Sequence, residues 1–269
     1  MRGWRISRRV RAGDCYAQRM IRVERHTDTR FARVAEIVLD RADKRNAMTP
    51  EMLGDIGCLA LELARDATVG AILLRGEGSV FCAGFDLSLC KESSAALAQM
   101  LRGLSSAART LRRVEKPVVI AAHGAAIAGG CAILCGADLV VTDRDARLGY
   151  PVTKLGISPA VSAPLLLRGV RGRAARARLL DSELISGIEA ARIGLAHLCV
   201  DLPEDVIPRS QIEAARMAEK PPAAFAATKR WLNEIEGSDH DAELDAALEA
   251  SLALVGSPEE RERLSRLWK

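Results

Sequence analysis

Two short segments carry the chemistry of this sequence. Val80-Phe-Cys-Ala-Gly-Phe-Asp86 and His123-Gly-Ala-Ala-Ile-Ala-Gly-Gly-Cys131 each set a small-residue turn after an apolar run, residues 71–74 before the first and 118–122 before the second. Glycine where a helix opens lets a ligand or another backbone approach closely, and the unpaired N–H groups of a first helical turn favour negative charge. Two such turns side by side can bring two N–H donors onto one oxygen. Neither G-x-G-x-x-G nor G-K-[ST] occurs, so the pattern is not a dinucleotide fingerprint or a phosphate loop.

The elements that must position these turns follow from apolar spacing. Strands are expected at 31–39, 71–74, 118–122 and 139–141, with an edge element at 148–152. Thr49 can cap a helix with Pro50 in its first turn and Met52, Ile56, Leu59 and Leu63 on one face. An Ala-rich helix is expected over 92–114, ended by Pro117, and a short buried one over 130–135. Ser186-Gly-Ile-Glu189 and Ser257-Pro-Glu-Glu260 fit the capping box, and further helices are expected over 211–219, 225–236 and 242–255. Strands alternating with helices to about residue 200, then helices alone, define an α/β fold with a helical C-terminal region.

Composition narrows the partners. The 269 residues are 49% hydrophobic and 28% charged, as in soluble globular domains, which excludes a disordered, collagen-like or coiled-coil chain. Six arginines against Asp14 give residues 1–19 a formal charge of +5, so the rest of the chain carries −1. A body without net charge offers no electrostatic footprint for nucleic acid or an anionic membrane. Residues 1–19 read as an upstream start or a disordered leader, with an organelle presequence as the alternative. Residues 118–137 are uncharged, but their glycines and His123 interrupt them, so a strand, a loop and a buried helix are expected there and not a membrane span. Seven cysteines without a C-x-x-C pair indicate reduced thiols and a cytoplasmic protein, and four scattered histidines leave no metal cluster.

Read in order, Leu39-Asp-Arg-Ala-Asp-Lys-Arg-Asn-Ala-Met48, Phe81-Cys-Ala-Gly-Phe-Asp-Leu87, His123-Gly-Ala-Ala-Ile-Ala-Gly-Gly-Cys131, Ala137-Asp-Leu139 and Lys154-Leu-Gly-Ile157 resemble the crotonase family, the enoyl-CoA hydratase/isomerase superfamily. The resemblance runs from about Ile21 to the C-terminus. It implies a repeated ββα core over 20–200 holding an acyl-CoA site, and helices over 201–269 used in a homotrimer or a dimer of trimers. It also implies an acyl-CoA thioester whose carbonyl becomes an enolate between two backbone N–H groups, here those of Phe85 and Gly129. Coenzyme A, part of the substrate and not a separate cofactor, would lie against Lys44, Arg45, Ala47 and the Ala83 backbone, with Lys229 reaching its phosphates. Asp86 reads as a loop-fixing carboxylate and His123 as a structural hydrogen-bonding group.

Hydratases of that family carry a glutamate three residues after the second oxyanion position and another just past the following strand. Ala132 and Val152 stand there, and neither can move a proton. Tyr150 is a candidate substitute acid, with a buried ring and satisfied hydroxyl as the alternative, while Cys131, Ser158 and Ser162 also border the implied site. Three readings follow: an acyl-CoA enzyme whose reaction is not standard hydration, a non-catalytic acyl-CoA binding protein, and an assembly subunit without a ligand.

Overall fold

Side-chain alternation along the strands decides how the chain layers. The computed structural model describes residues 20–93, 95–170 and 173–267, so the leader assigned to 1–19 lies outside the described residues. In chain order these form β1 (Ile21–Arg25), β2 (Val34–Leu39), α1 (Pro50–Arg65), β3 (Ala71–Gly76), α2 (Leu89–Glu92), α3 (Ala96–Arg113), β4 (Val118–Ala122), β5 (Ala125–Ile127), α4 (Gly129–Ala132) and β6 (Leu139–Asp143). Then come β7 (Arg147–Gly149), α5 (Ala163–Gly169), α6 (Ala174–Leu180), β8 (Ile185–Ser186), α7 (Gly187–Ile193), β9 (Leu198–Val200), α8 (Pro203–Ala218), α9 (Pro222–Glu236), α10 (Asp241–Leu252) and α11 (Pro258–Arg266).

A six-stranded sheet runs β1-β2-β3-β4-β6-β9, antiparallel in its first pair and parallel thereafter, and a smaller sheet runs β5-β7-β8. On one face of the large sheet Ile37, Leu39, Ile72, Leu74 and Ile120 join the main core with α1 and α3. The alternate residues Val34, Leu73, Val119 and Val141 cluster with Val206, Ala214 and Ala218 of α8. Both faces are covered, which is why β2 to β4 read as nearly continuous apolar runs. The chain after residue 200 therefore also builds the core, since α8 supplies one of its layers.

The expected caps form. Thr49 Oγ1 accepts from Met52 N at 3.3 Å, and Ser186 and Ser257 accept from Glu189 N and Glu260 N at 3.2 Å each. The return bonds differ from a capping box: Glu260 reaches Gly256 N at 2.9 Å, and Glu189 pairs with Arg192.

Several boundaries differ from expectation. The helix expected over 92–114 begins at Ala96, because Ser93 takes extended backbone (φ −141, ψ 121) and separates α2 from α3. The helix expected over 130–135 is a four-residue α4 that tightens into a 3₁₀ turn at Ile133–Gly136, where Gly136 lies so close to α3 that a Cβ would meet Ala108 O at 2.8 Å. The edge element forms at Arg147–Gly149, ahead of 148–152. Helix α8 starts eight residues before 211 and runs through Pro208, which removes one i→i−4 bond while Val206 and Ala214 stay buried against the sheet.

The apolar residues of the two helices after α8 divide between core and surface. Leu244, Leu248 and Leu252 of α10 pack within this chain, whereas Trp231, Leu232 and Ile235 of α9 are exposed. Among the described residues no helix is long and apolar enough to cross a membrane, and no group of three or more His, Cys, Asp or Glu could hold a metal ion.

Candidate functional site

The two glycine turns are joined through their backbones. Phe81 N donates to His123 O (2.8 Å), Cys82 N to Ala125 O and Ile127 N to Cys82 O (3.0 Å each), which carries the first loop alongside β5. On its other side Met48 N donates to Gly84 O (2.7 Å) and Asp86 N to Met48 O (2.9 Å). Gly84 sits at φ +103, and a Cβ there would come within 3.0 Å of Ile127 O, so this turn requires glycine. Between these fixed neighbours, Phe85 N–H has no acceptor among the described residues. Gly129 N–H, first in α4, has none either.

Ala128 precedes that second donor at φ +52, ψ −114, a conformation L-residues rarely adopt. Its N–H donates to Gly149 O at 2.8 Å, which ties the turn to β7. Gly129 has no room for a side chain: a Cβ would stand 2.7 Å from Phe85 Cε1 and 3.1 Å from Met48 Cε. The Phe85 ring thus lies against Gly129 and narrows the entrance.

Both residues open onto a cavity of about 120 Å³ whose wall also includes Ala83, Ala132, Tyr150 and Val152. Among the described residues no Asp, Glu, Lys, Arg or His lines it, and the lining residues that carry a hydroxyl are Tyr150, Ser158 and Ser162. Two unpaired N–H donors at the edge of an apolar pocket suit an oxygen that gains negative charge, since preorganised donors need no reorganisation as the charge develops.

Tyr150 is brought to this cavity by its ring and not by its hydroxyl. The phenol is 1% exposed, and its oxygen is enclosed without a well-formed hydrogen bond, facing the sulfurs of Cys131 and Cys135. Burial drives its pKa well above the ordinary phenol value. Burial also pushes the Cys131 thiol up to about 12 and the Cys135 thiol up to about 11, so neither is a ready nucleophile.

Asp86 holds the loop. Burial alone would raise its pKa, but hydrogen bonds from Ser88 and an ion pair with Arg41 at 2.7 Å outweigh that and keep the carboxylate below its usual range. His123 is 4% exposed with Nε2 at 3.1 Å from Gly78 O, and burial lowers its pKa.

The turn expected to receive coenzyme A is equally organised. Arg45 and Asn46 take successive left-handed conformations (φ 51 and 55), and Ala83 N donates to Arg45 O at 3.0 Å, so this turn adjoins the Phe85 loop. Asn46 is fully buried, donating to Glu77 O (2.8 Å) and Val80 O (2.9 Å) and accepting from Arg41 N (3.0 Å). Arg41 Nη1 donates to Ala47 O at 2.9 Å and pairs with Asp86, so one guanidinium joins the two loops. Sequence reasoning missed that role; only the position of Arg41 inside the 39–48 motif hinted at it. Lys44 and Arg45 are exposed.

Lys229 is not brought to this cleft. It is 4% exposed, and its Nζ bonds Asp138 Oδ2 (2.7 Å), Lys116 O (3.0 Å) and Leu111 O (3.4 Å) beside a separate cavity of about 400 Å³. Its acidic neighbour in the fold, invisible in the local sequence, takes the charge that was expected to meet a phosphate.

A mostly parallel sheet covered by helices on both faces, with two glycine turns offering free N–H groups at an apolar pocket, defines a protein of the crotonase fold. The family model described as enoyl-CoA hydratase/isomerase matches residues 29–263, and the chain belongs to that family. It is 29% identical over 221 residues to a short-chain-enoyl-CoA hydratase of Clostridium acetobutylicum, covering 81% of this chain and 84% of that protein. A 1,2-epoxyphenylacetyl-CoA isomerase of Escherichia coli is 29% identical over 218 residues, 79% of this chain and 83% of that protein. The crystal structure of an enoyl-CoA hydratase/isomerase from Xanthobacter autotrophicus Py2 superposes with a TM-score of 0.81 at 28% identity, covering 93% of each chain.

Proposed function

We propose that the chain binds an acyl-CoA thioester with its carbonyl oxygen between the N–H groups of Phe85 and Gly129, and that it does not carry out standard hydration. One observation carries this reading: both N–H groups lack an acceptor at the edge of a pocket whose wall has Ala132 and Val152 where proton transfer would need carboxylates. An oxygen held there is stabilised as it gains charge, whereas adding water to a double bond also needs a group to activate the water and one to deliver a proton. The coenzyme A part rests against the Lys44–Arg45 turn, Ala47 and the Ala83 backbone.

A specific feature favours the second reading, an acyl-CoA binder without turnover. Tyr150, the candidate acid, keeps its hydroxyl enclosed against Cys131 and Cys135 with its proton held by burial. The exposed Trp231, Leu232 and Ile235 of α9 support assembly as a homotrimer or a dimer of trimers, and the free thiols support a cytoplasmic protein.

Calorimetric titration with crotonyl-CoA and with free coenzyme A tests the binding. Only the ester has the carbonyl, so it should bind about fivefold or more tightly, the yield of roughly 1 kcal/mol from hydrogen bonding. Equal affinities would place the oxygen elsewhere. Product formation from any acyl-CoA would then select the enzyme over the binding protein.

A further inference from the structure

The acyl pocket has a feature that thioester binding leaves unused. Ser162 is 6% exposed, lies just before α5 without making a cap bond, and its hydroxyl has no hydrogen-bond partner among the described residues. It lines the cavity together with Leu104, Ala132 and Val161. The same four residues form one side of a recess of only about 10 Å³ that Ala108 and Leu165 close from behind, so the cavity ends at this wall. Its oxygen is not fully enclosed and stays reachable from the cavity, so an occupant able to pair with it gains about 0.5–1.5 kcal/mol, the net yield of a hydrogen bond exchanged for one to water. Ser158, the neighbouring hydroxyl, already accepts from Ala160 N at 3.2 Å.

Size sets the second constraint. An apolar cavity of ~150 Å³ takes up benzene, six carbons. At about 120 Å³ this one has space for a chain of about four or five carbons, one oxygen included. Extension beyond that meets Leu104 and Val161.

We infer that the pocket selects a short acyl group bearing an oxygen substituent, a hydroxyl or a carbonyl, with Ser162 as its polar anchor and Leu104 and Val161 as its length stop. This rests on the proposed thioester binding and adds the substrate class. A hydroxyl both donates and accepts, so Ser162 serves either substituent. Among the described residues no cation lines the cavity itself, and Arg109, which lines the recess behind Leu104 and Ser162, is already ion-paired with Asp241 and Asp245, so a neutral oxygen is the better match.

The test is calorimetric titration of the full chain with butyryl-, 3-hydroxybutyryl-, acetoacetyl- and octanoyl-CoA. At least one oxygenated four-carbon ester should bind about fivefold or more tightly than butyryl-CoA, and octanoyl-CoA about tenfold or more weakly. Ser162→Ala should abolish the oxygen preference while changing butyryl-CoA affinity by less than about twofold. Leu104→Ala should narrow the octanoyl gap by opening the recess. Equal binding of butyryl-CoA and both oxygenated esters, or a preference that survives Ser162→Ala, overturns this inference and leaves the thioester reading standing. Failure of every ester to bind removes both. The octanoyl arm needs only the unmodified protein, so a poorly folded variant does not shield the inference.

Discussion

Ala128 offers the most direct test of how the site is held. Its φ of +52 and ψ of −114 match the first central position of a type II′ turn, which glycine normally fills. Such a conformation costs a non-glycine residue about 1–3 kcal/mol. Ala128→Gly removes that strain, against about 0.5–1 kcal/mol of glycine chain entropy and less than about 0.8 kcal/mol for one half-buried methyl. The net runs from about 0.8 kcal/mol less stable to about 2.5 kcal/mol more stable and centres on a gain of about 1 kcal/mol, although alanine-to-glycine changes ordinarily destabilise. Ala128→Val, with a branched Cβ at the same dihedrals, should lose about 1–3 kcal/mol. Urea unfolding with the slope held common reads the order glycine, alanine, valine. A valine variant as stable as the parent, or a glycine variant more than about 1 kcal/mol less stable, would refute the assignment of strain. A second readout tests what the strain does: a relaxed turn aims Gly129 N–H less firmly, so the glycine variant should lose ester affinity by about two- to fivefold with free coenzyme A unaffected.

Three further outcomes are expected. The unmodified protein should hydrate crotonyl-CoA at least ~10³–10⁴-fold more slowly than a two-glutamate relative, and Ala132→Glu with Val152→Glu should gain more than either single change; ordinary rates from the parent would mean another group moves the protons. Stability should fall as pH drops from about 4.5 toward about 2, because Glu36, though burial alone would raise it, is held at about 2 by His26 (2.5 Å), Arg75 (2.5 Å) and Gln211 (2.7 Å). Its stabilisation is complete above the unfolded carboxyl value and lost on protonation, so Glu36→Gln should flatten that part of the pH profile, and a profile unchanged by the substitution would assign acid unfolding to other groups. Lys229→Met should cost about 3–5 kcal/mol in unfolding free energy by leaving Asp138 half-buried and uncompensated, and an exposed phosphate-binding lysine would instead tolerate the change.

Local patterns in the sequence were enough for the parts of the fold set by local chemistry. Val118–Ala122 forms at its expected limits, because apolar continuity and Pro117 define it within a few residues. Thr49 and Pro50 likewise define the start of α1. Tertiary packing overrode local signals elsewhere: the helix expected over 211–219 extends back through Pro208 to Pro203, because Val206 and Ala214 both pack on the sheet face. Leu244, Leu248 and Leu252 of α10 lie in the region expected to serve subunit contacts but pack within their own chain.

The site divides along the same line. Glycine turns and missing carboxylates are matters of residue identity, so Phe85, Gly129, Ala132 and Val152 were legible, and the structure gathers all four around one cavity. Side-chain direction is not a matter of identity. Tyr150 and Ser162 both carry hydroxyls on segments expected to border the site, but the fold turns one oxygen into the core against two sulfurs and leaves the other on the pocket wall without a cap bond and with no partner among the described residues. A buried hydroxyl that keeps its proton cannot replace a catalytic carboxylate, whereas an unpaired one can discriminate between ligands. Under the proposed reading, the pocket would act through which acyl group it accepts and how it holds the carbonyl, and any proton that moves would come from the substrate or from water.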